Sequence, residues 1–169
     1  MTGLCYAQGS HTKGVALTKL FIPEDAERQQ ALVRWAAAQI PWIATVEAFG
    51  PCTAWGVLKA DNKLVGAIVL NNYRPGIGDI ELNVIAQQEN WASRDIFRVV
   101  SDYVFNQLKC ARMSLTIPRG AKRTRDHALR VGFKMEGVRR KGFYNGVDAI
   151  IYGMLKTECP FLSDRKEAA

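Results

Sequence analysis

The stretch Ile77–Leu108, IGDIELNVIAQQENWASRDIFRVVSDYVFNQL, constrains the fold more than any other part of the chain. It begins as a strand with two faces. Ile77, Asp79, Glu81, Asn83 and Ile85 fall on one side, and Ile80, Leu82 and Val84 on the other, because side chains alternate along an extended chain. The strand breaks at Ala86–Ala92, and Ser93 follows as a good helix N-cap. Ile96, Val99, Val100, Tyr103, Val104 and Leu108 then recur at the spacing of a helix packed on a sheet. A strand that feeds a helix through such a loop aims backbone N–H groups at one spot, and that spot suits an anion.

The flanking segments complete a sheet around this unit. Residues 1–13 read as a flexible N-terminal extension, and Val15–Phe21 as an edge strand. Pro23, Glu24 and Asp25 open a helix running from Ala26 to Ile40, which Pro41 stops. Trp42–Phe49 reads as a second, shorter helix or turn, with Trp35 and Trp42 as core or lid residues. Thr53–Lys59 and Lys63–Asn71 form a hairpin around Asp61-Asn62, and Asn72–Gly76 turns the chain into the Ile77–Ile85 strand. After the long helix come a strand at Ala111–Ile117 and a short basic helix at Ala121–Val131 with Gly132 as its cap. A closing hairpin, Phe133–Phe143 and Val147–Lys156, turns at Tyr144-Asn145-Gly146. This order predicts an α+β fold, with a mixed, mostly antiparallel twisted sheet of about six to seven strands. Only the strands on either side of the long helix, the fourth and fifth, run parallel. Such a pair splays, and a ligand can enter between them. The reading is of one domain over residues 14–162, with a charged tail at 163–169.

Charge narrows the partners. Arg119–Lys141 holds nine Lys/Arg and two acids, and that excess equals the net +7 of the whole chain. The clustering favours an anionic partner: a phosphate-rich cofactor, nucleic acid or an acidic protein. The four cysteines (Cys5, Cys52, Cys110 and Cys159) are scattered, with no CxxC pair and no histidine at ligand spacing, so neither a metal site nor a disulfide framework is expected. MTGLCYAQGS has no basic start and no apolar run, and no stretch approaches the roughly 20 apolar residues that span a membrane. The expectation is a cytoplasmic protein, monomeric or homodimeric, with no membrane partner.

Gly132-Phe133-Lys134-Met135-Glu136-Gly137-Val138-Arg139, with Arg140 next, matches a Gly-Phe-x-x-Glu-Gly-x-x-Arg pattern. Asp148 and the apolar run Tyr152-Gly153-Met154-Leu155 follow it, and Asp102-Tyr103-x-Phe105 ends the long helix. In these residues and in element order the chain resembles the GNAT (Gcn5-related N-acetyltransferase) superfamily. Within it, the chain resembles the branch of ribosomal-protein N-terminal acetyltransferases. The resemblance implies acetyl-CoA as cosubstrate, bound at the splay with its pantetheine arm along the fourth strand. It also implies pyrophosphate on the loop before the central helix, where the family pattern is Gln/Arg-x-x-Gly-x-Gly/Ala. Two registers compete here, Gln87–Ala92 and Gln88–Ser93, putting Asn90 or Trp91 in place of the middle glycine. Asn tolerates positive φ better than Trp, which favours the first. The loop is degenerate in either. The expected cofactor contacts are Val84, Ile85, Ala86, Gln87, Gln88, Asn90, Trp91, Ala92, Ser93 and Arg94, with Lys122, Arg123 and Arg125 facing the 3′-phosphate.

Acetyl transfer to an amine needs a base, a polarised carbonyl and a proton for the leaving thiolate. Glu81 is the first choice of base, on the strand that the acyl group would approach, and a solvent-facing strand carboxylate is the competing reading. Asp79 and Asn83 are weaker candidates on the same face. The family often has a tyrosine in the helix before Gly132, and none stands there, so Tyr144 in the last hairpin is the candidate acid. His127 is a candidate base or phosphate ligand. The expected activity is N-acetyl transfer to a primary amine on a protein N-terminus, a lysine or a small molecule, through a ternary complex. The alternative is a catalytically degenerate relative that binds nucleic acid or an acidic protein through the basic 119–141 surface.

Overall fold

A computed structural model of the chain describes residues 4–6, 18–43, 45–87 and 91–162. The elements in order are β1 (Leu4–Tyr6), β2 (Thr18–Ile22), α1 (Ala26–Ala38), β3 (Cys52–Lys59), β4 (Leu64–Arg74), β5 (Asp79–Ala86), α2 (Arg94–Asp102), β6 (Arg112–Pro118), α3 (Lys122–Arg130), β7 (Lys134–Arg139) and β8 (Ala149–Leu155). They form one sheet in the order β1-β2-β3-β4-β5-β6-β8-β7, antiparallel at every step except β5 with β6. The expected fourth and fifth strands are thus β5 and β6. The sheet has eight strands rather than six to seven. The extra strand is β1, which pairs Leu4–Tyr6 with Leu20–Ile22 inside the segment expected to be a flexible extension.

The helices divide between the faces. Leu32, Val33, Ala36 and Ala37 of α1 pack on Ala54, Ala67, Val69 and Ile85 on one side of the sheet. Ile96, Val100, Val104 and Phe105 of the central helix, with Ala128 of α3, pack on Ile68, Leu70, Ile80, Leu82, Met113, Leu115 and Tyr152 on the other. The period-two alternation of β4 and β5 feeds both layers, as expected for a sheet covered on both sides.

Local chemistry sets most boundaries. Asp25 caps α1 by accepting a hydrogen bond from the Arg28 N–H at 2.7 Å, and Ser93 caps α2 by accepting from the Ile96 N–H at 3.4 Å. The first helix ends at Ala38, two residues short of expectation. The N–H groups of Gln39 and Ile40 bond back to Ala36 and Ala37 in a tightened last turn before Pro41. Among the described residues of the expected second helix, only Val46–Phe49 is helical, as a 3₁₀ turn. β4 runs on to Arg74 through a bulge, so the turn falls at 75–78 rather than 72–76, and Ile77 lies outside the strand and is exposed. Gly78 has φ +65°, and a Cβ there would meet the Ala111 N at 3.0 Å, a close approach that favours glycine. The central helix ends in a π turn, Tyr103–Gln107, which brings both Val104 and Phe105 into the core. Gly132, at φ +104°, follows α3 as its cap.

Among the described residues no helix is long and apolar enough to cross a membrane. Cys52, Cys110 and Cys159 are free thiols.

Candidate active site

The parallel pair is short. β5 and β6 match only at Asp79↔Arg112, Ile80↔Met113 and Glu81↔Ser114. Beyond that point β5 stays paired with β4, and β6 with β8, so Leu82–Ala86 and Leu115–Pro118 diverge. A cleft of about 890 Å³ opens between them.

The closed end of the pair is held by charge. Asp79 is buried, and its carboxylate accepts from the Ser114 hydroxyl at 2.7 Å. It also pairs with Arg74 and lies 3.5 Å from Nε of Arg112. Arg112 in turn reaches Glu136 of β7 at 2.5 Å. The pair lies across Gly153 of β8, where a Cβ would meet Arg112 Nη2 at 2.6 Å and overlap the Glu136 carboxylate. This gives the Glu136 of the Gly-Phe-x-x-Glu-Gly pattern a partner that sequence spacing could not reveal. Asp148, likewise picked out by sequence, accepts from the Lys141 N–H and from Arg119 Nη1, both at 3.0 Å, which hold its carboxyl below the usual range. It ties the turn after β6 to the β7–β8 hairpin.

The open end has two walls, because the cleft passes through the sheet. On the α2/α3 side it is lined by Trp91, Phe97, Thr124, His127, Ala128 and Phe161, over the apolar floor of Met113, Leu115 and Ile117. On the α1 side it is lined by Gln39, Ile40, Trp42, Arg139, Gly142 and Phe143. Val84, expected on the apolar face, is 41% exposed: it points to the helix side of the sheet where the strands have parted, and meets the cleft instead of the core.

Glu81 lines the cleft at the junction of its closed and open parts. Its Oε2 accepts from Asn72 Nδ2 at 2.8 Å. By alternation it shares the α1-side face with Asn83, whose amide donates to buried Asn71 at 2.9 Å, and Asn71 donates on to the Phe49 carbonyl at 3.0 Å. His127 stands on the opposite wall, its ring centre 6.0 Å from that of Phe97 and its Nε2 buried without a partner among the described residues. Burial, with help from Arg130, pushes its pKa below the ordinary 6.5. The shift favours the neutral ring, which suits a proton acceptor better than a phosphate ligand. Tyr144 is 53% exposed on the hairpin turn and is not part of the cleft lining. The cleft thus brings Glu81 and His127 to opposite walls and leaves Tyr144 outside.

Of the expected cofactor contacts, Val84, Ile85, Ala86, Gln87 and Trp91 line the cleft. Trp91 is also core: it is 5% exposed and lies under Gly66, where a Cβ would come within 3.1 Å of its ring. Gln87 donates to Gln39 at 3.1 Å, joining the loop to the end of α1. Ala92, Ser93 and Arg94 do not line the cleft; Ser93 caps the helix, and Arg94 sits 5.7 Å over the Phe161 ring. Gln88 and Asn90 lie outside the described residues, so neither loop register meets the structure there. Lys122 pairs with Asp126 at 2.6 Å, Arg123 is exposed, and Arg125 has a buried Nε without a partner among the described residues. None of the three lines the cleft, but Thr124 between them does. Sequence reasoning misses Arg139 and Phe143 as cleft residues, and the basic end of the Gly-Phe pattern is the one signal for Arg139; Trp42, read as a core or lid residue, lines the cleft.

No protein-family model matches the sequence, and no curated protein matches it. Solved structures do. A mutant form of the Vibrio cholerae spermidine N-acetyltransferase SpeG superposes with a TM-score of 0.67 at 15% identity, over 86% of this chain and 96% of that one. A probable acetyltransferase superposes at 0.64 with 23% identity, over 92% and 98%. Other mutant forms of the V. cholerae spermidine/spermine enzyme align at 0.57 and 20% identity, over 64% of this chain and 66% of that one. The likeness is one of fold and does not single out the ribosomal-protein branch. The short parallel pair, the through-sheet cleft and these superpositions agree that the chain has the fold of the Gcn5-related N-acetyltransferases.

Proposed function

We propose that the protein is an N-acetyltransferase that moves an acetyl group from acetyl-CoA to a primary amine on a protein N-terminus, a lysine or a small molecule. One observation carries the reading: β5 and β6 part after Glu81 and Ser114, leaving the backbone of Leu82–Ala86 without a strand partner on the cleft side. That free edge can take the amides of a pantetheine arm as an added strand, and an N–H near Val84–Ala86 can polarise the thioester carbonyl. Bound acetyl-CoA would supply the activated acyl carbon. Glu81, on the α1-side face, takes the proton from the attacking amine as the C–N bond forms and the C–S bond breaks. The thiolate leaves into a cleft open to water, from which it takes a proton. Fold does not by itself fix the acceptor, which depends on the side chains around Glu81.

The reading of the 119–141 surface as a nucleic-acid or acidic-protein platform is less well supported. Asp148 answers Arg119, Asp126 answers Lys122, and Glu158 answers Lys134 at 2.7 Å, so part of the positive charge is neutralised on the protein itself. Calorimetric titration with acetyl-CoA, compared with CoA, tests the transferase reading. Micromolar binding is expected. No binding at millimolar ligand would overturn it.

A further inference from the structure

The two sides of the cleft differ in chemistry. The α2/α3 wall is mostly apolar, with Thr124 and His127 as its polar members, and abuts the helix starts. The opposite wall lies on the sheet face that α1 covers only over β3, β4 and the end of β5. On that face β6, β8 and β7 carry no helix among the described residues, and Thr116 of β6 and Arg139 of β7 are the polar side chains they give to the lining. An acceptor amine reaching Glu81 enters from this side, since Glu81 points to it.

The charges there are few and specific. Asp79 and Glu136 share the face, but both are held in ion pairs at the closed end. Among the described residues lining the cleft, Glu81 is the one carboxylate and Arg139 the one guanidinium. Arg139 ends β7 with its side chain folded over Gly142, where a Cβ would meet its Cβ, Cγ and Cδ at 2.5–2.8 Å. No acid among the described residues pairs with it. Trp42 and Phe143 meet edge to face at 4.9 Å beside it and, with Ile40, form an apolar wall. Register places Arg139 level with Ala149 and Pro118, four residues along β6 from Ser114, the partner of Glu81. At about 3.3 Å per residue that is roughly 13 Å along the strand. The three strand steps from β5 to β7 add about 14 Å across the sheet, a span that the two side chains shorten by reaching into the cleft.

We propose that the acceptor is a primary amine bearing a carboxylate several bonds away. Glu81 would receive the amine, Arg139 the carboxylate, and the Trp42–Phe143 wall the apolar part between. The N-terminus of an acidic peptide has this chemistry, and so does a long ω-amino acid. A polyamine does not fit: it would bring several positive charges to one carboxylate and an unpaired guanidinium. The proposal rests on the transferase reading and adds the acceptor class to it.

The test measures thiol release from acetyl-CoA by the full chain with four acceptors: C-terminally amidated alanyl peptides ending in glutamate or in lysine, an ω-amino acid, and spermidine. Acetyl-CoA affinity is measured in parallel. The carboxylate-bearing acceptors should exceed spermidine and the lysine peptide by about tenfold or more in kcat/KM, and peptide against ω-amino acid identifies the source. Arg139→Ala should raise KM for the acidic acceptors and erase their advantage, Arg139→Lys should restore part of it, and acetyl-CoA affinity should not change. Spermidine or the lysine peptide turned over as well as the acidic acceptors would overturn the acceptor class alone. So would an Arg139→Ala variant that weakens all four equally. Failure of the unaltered protein to bind acetyl-CoA would overturn the transferase reading, and this inference with it.

Discussion

The two ends of the β5–β6 pair are built from the same kind of strand and do opposite things. At the closed end, Asp79, Ser114, Arg112 and Glu136 lock three strands together with charge-assisted contacts around a buried carboxylate. At the open end the same strands show each other no partner and are walled by apolar side chains. A parallel pair has no intrinsic reason to stop at three residue pairs. The lock explains where pairing is held, and beyond it the floor of Met113, Leu115 and Ile117 brings no charge that pairing of the strands would answer. Stability should therefore reside at one end and ligand chemistry at the other.

Breaking the closed end should have the largest effect. With Arg74→Met and Arg112→Met combined, Asp79 is left as an uncompensated buried charge, and urea unfolding should show a loss of about 3–5 kcal/mol. A loss under about 1 kcal/mol, the range of an exposed ion pair, would mean the lock is incidental. At the junction, Glu81→Gln should lower kcat by about 10²–10⁴-fold while acetyl-CoA affinity stays constant and the urea midpoint barely moves. Equal losses of turnover and binding would remove its role as base. On the outer rim, Arg123→Ala or Arg125→Ala should weaken CoA by about threefold to tenfold but leave dephospho-CoA unchanged. Equal affinities for the two ligands would assign those arginines another purpose.

The smallest effect concerns pH. His127 has a folded-state pKa below its unfolded value, so the unfolded chain takes up the proton first as pH falls. Its contribution is fully present above about 6.5 and is lost as pH drops from there through the folded-state value. His127→Gln should flatten the acid limb of the stability profile, and an unchanged limb would show that the imidazole does not titrate in that window.

What is legible in the sequence follows from the range of the interactions involved. Ser93 and Gly132 can be placed because a cap acts within one turn, and the face of Glu81 because alternation is local. The parallel pair and its splay follow from element order. The locking residues are not legible: Asp79 finds Ser114 and Arg112, and Arg112 finds Glu136, only after three strands are assembled. Asp79 accordingly reads as a weak candidate for chemistry when it is a buried anchor. The basic cluster misleads in a similar way, since Asp148 and Glu158 lie outside the counted window and answer charges within it. Tyr144 is an attractive acid on paper because turns often approach clefts. Here Phe143 takes the inward position and Tyr144 faces out, a difference of one residue at a hairpin whose Asn145 and Gly146 both adopt positive φ.

Gly153 carries a consequence for how such a chain can vary. The volume its side chain would occupy is already filled by the Arg112–Glu136 pair, so three positions far apart in the sequence behave as one. Alanine at 153 must push the pair aside, whereas alanine in a variant that also lacks the two charged groups need not. In any set of related chains the three should drift together, and a glycine in the middle of an apolar strand becomes the visible trace of an ion pair on its face.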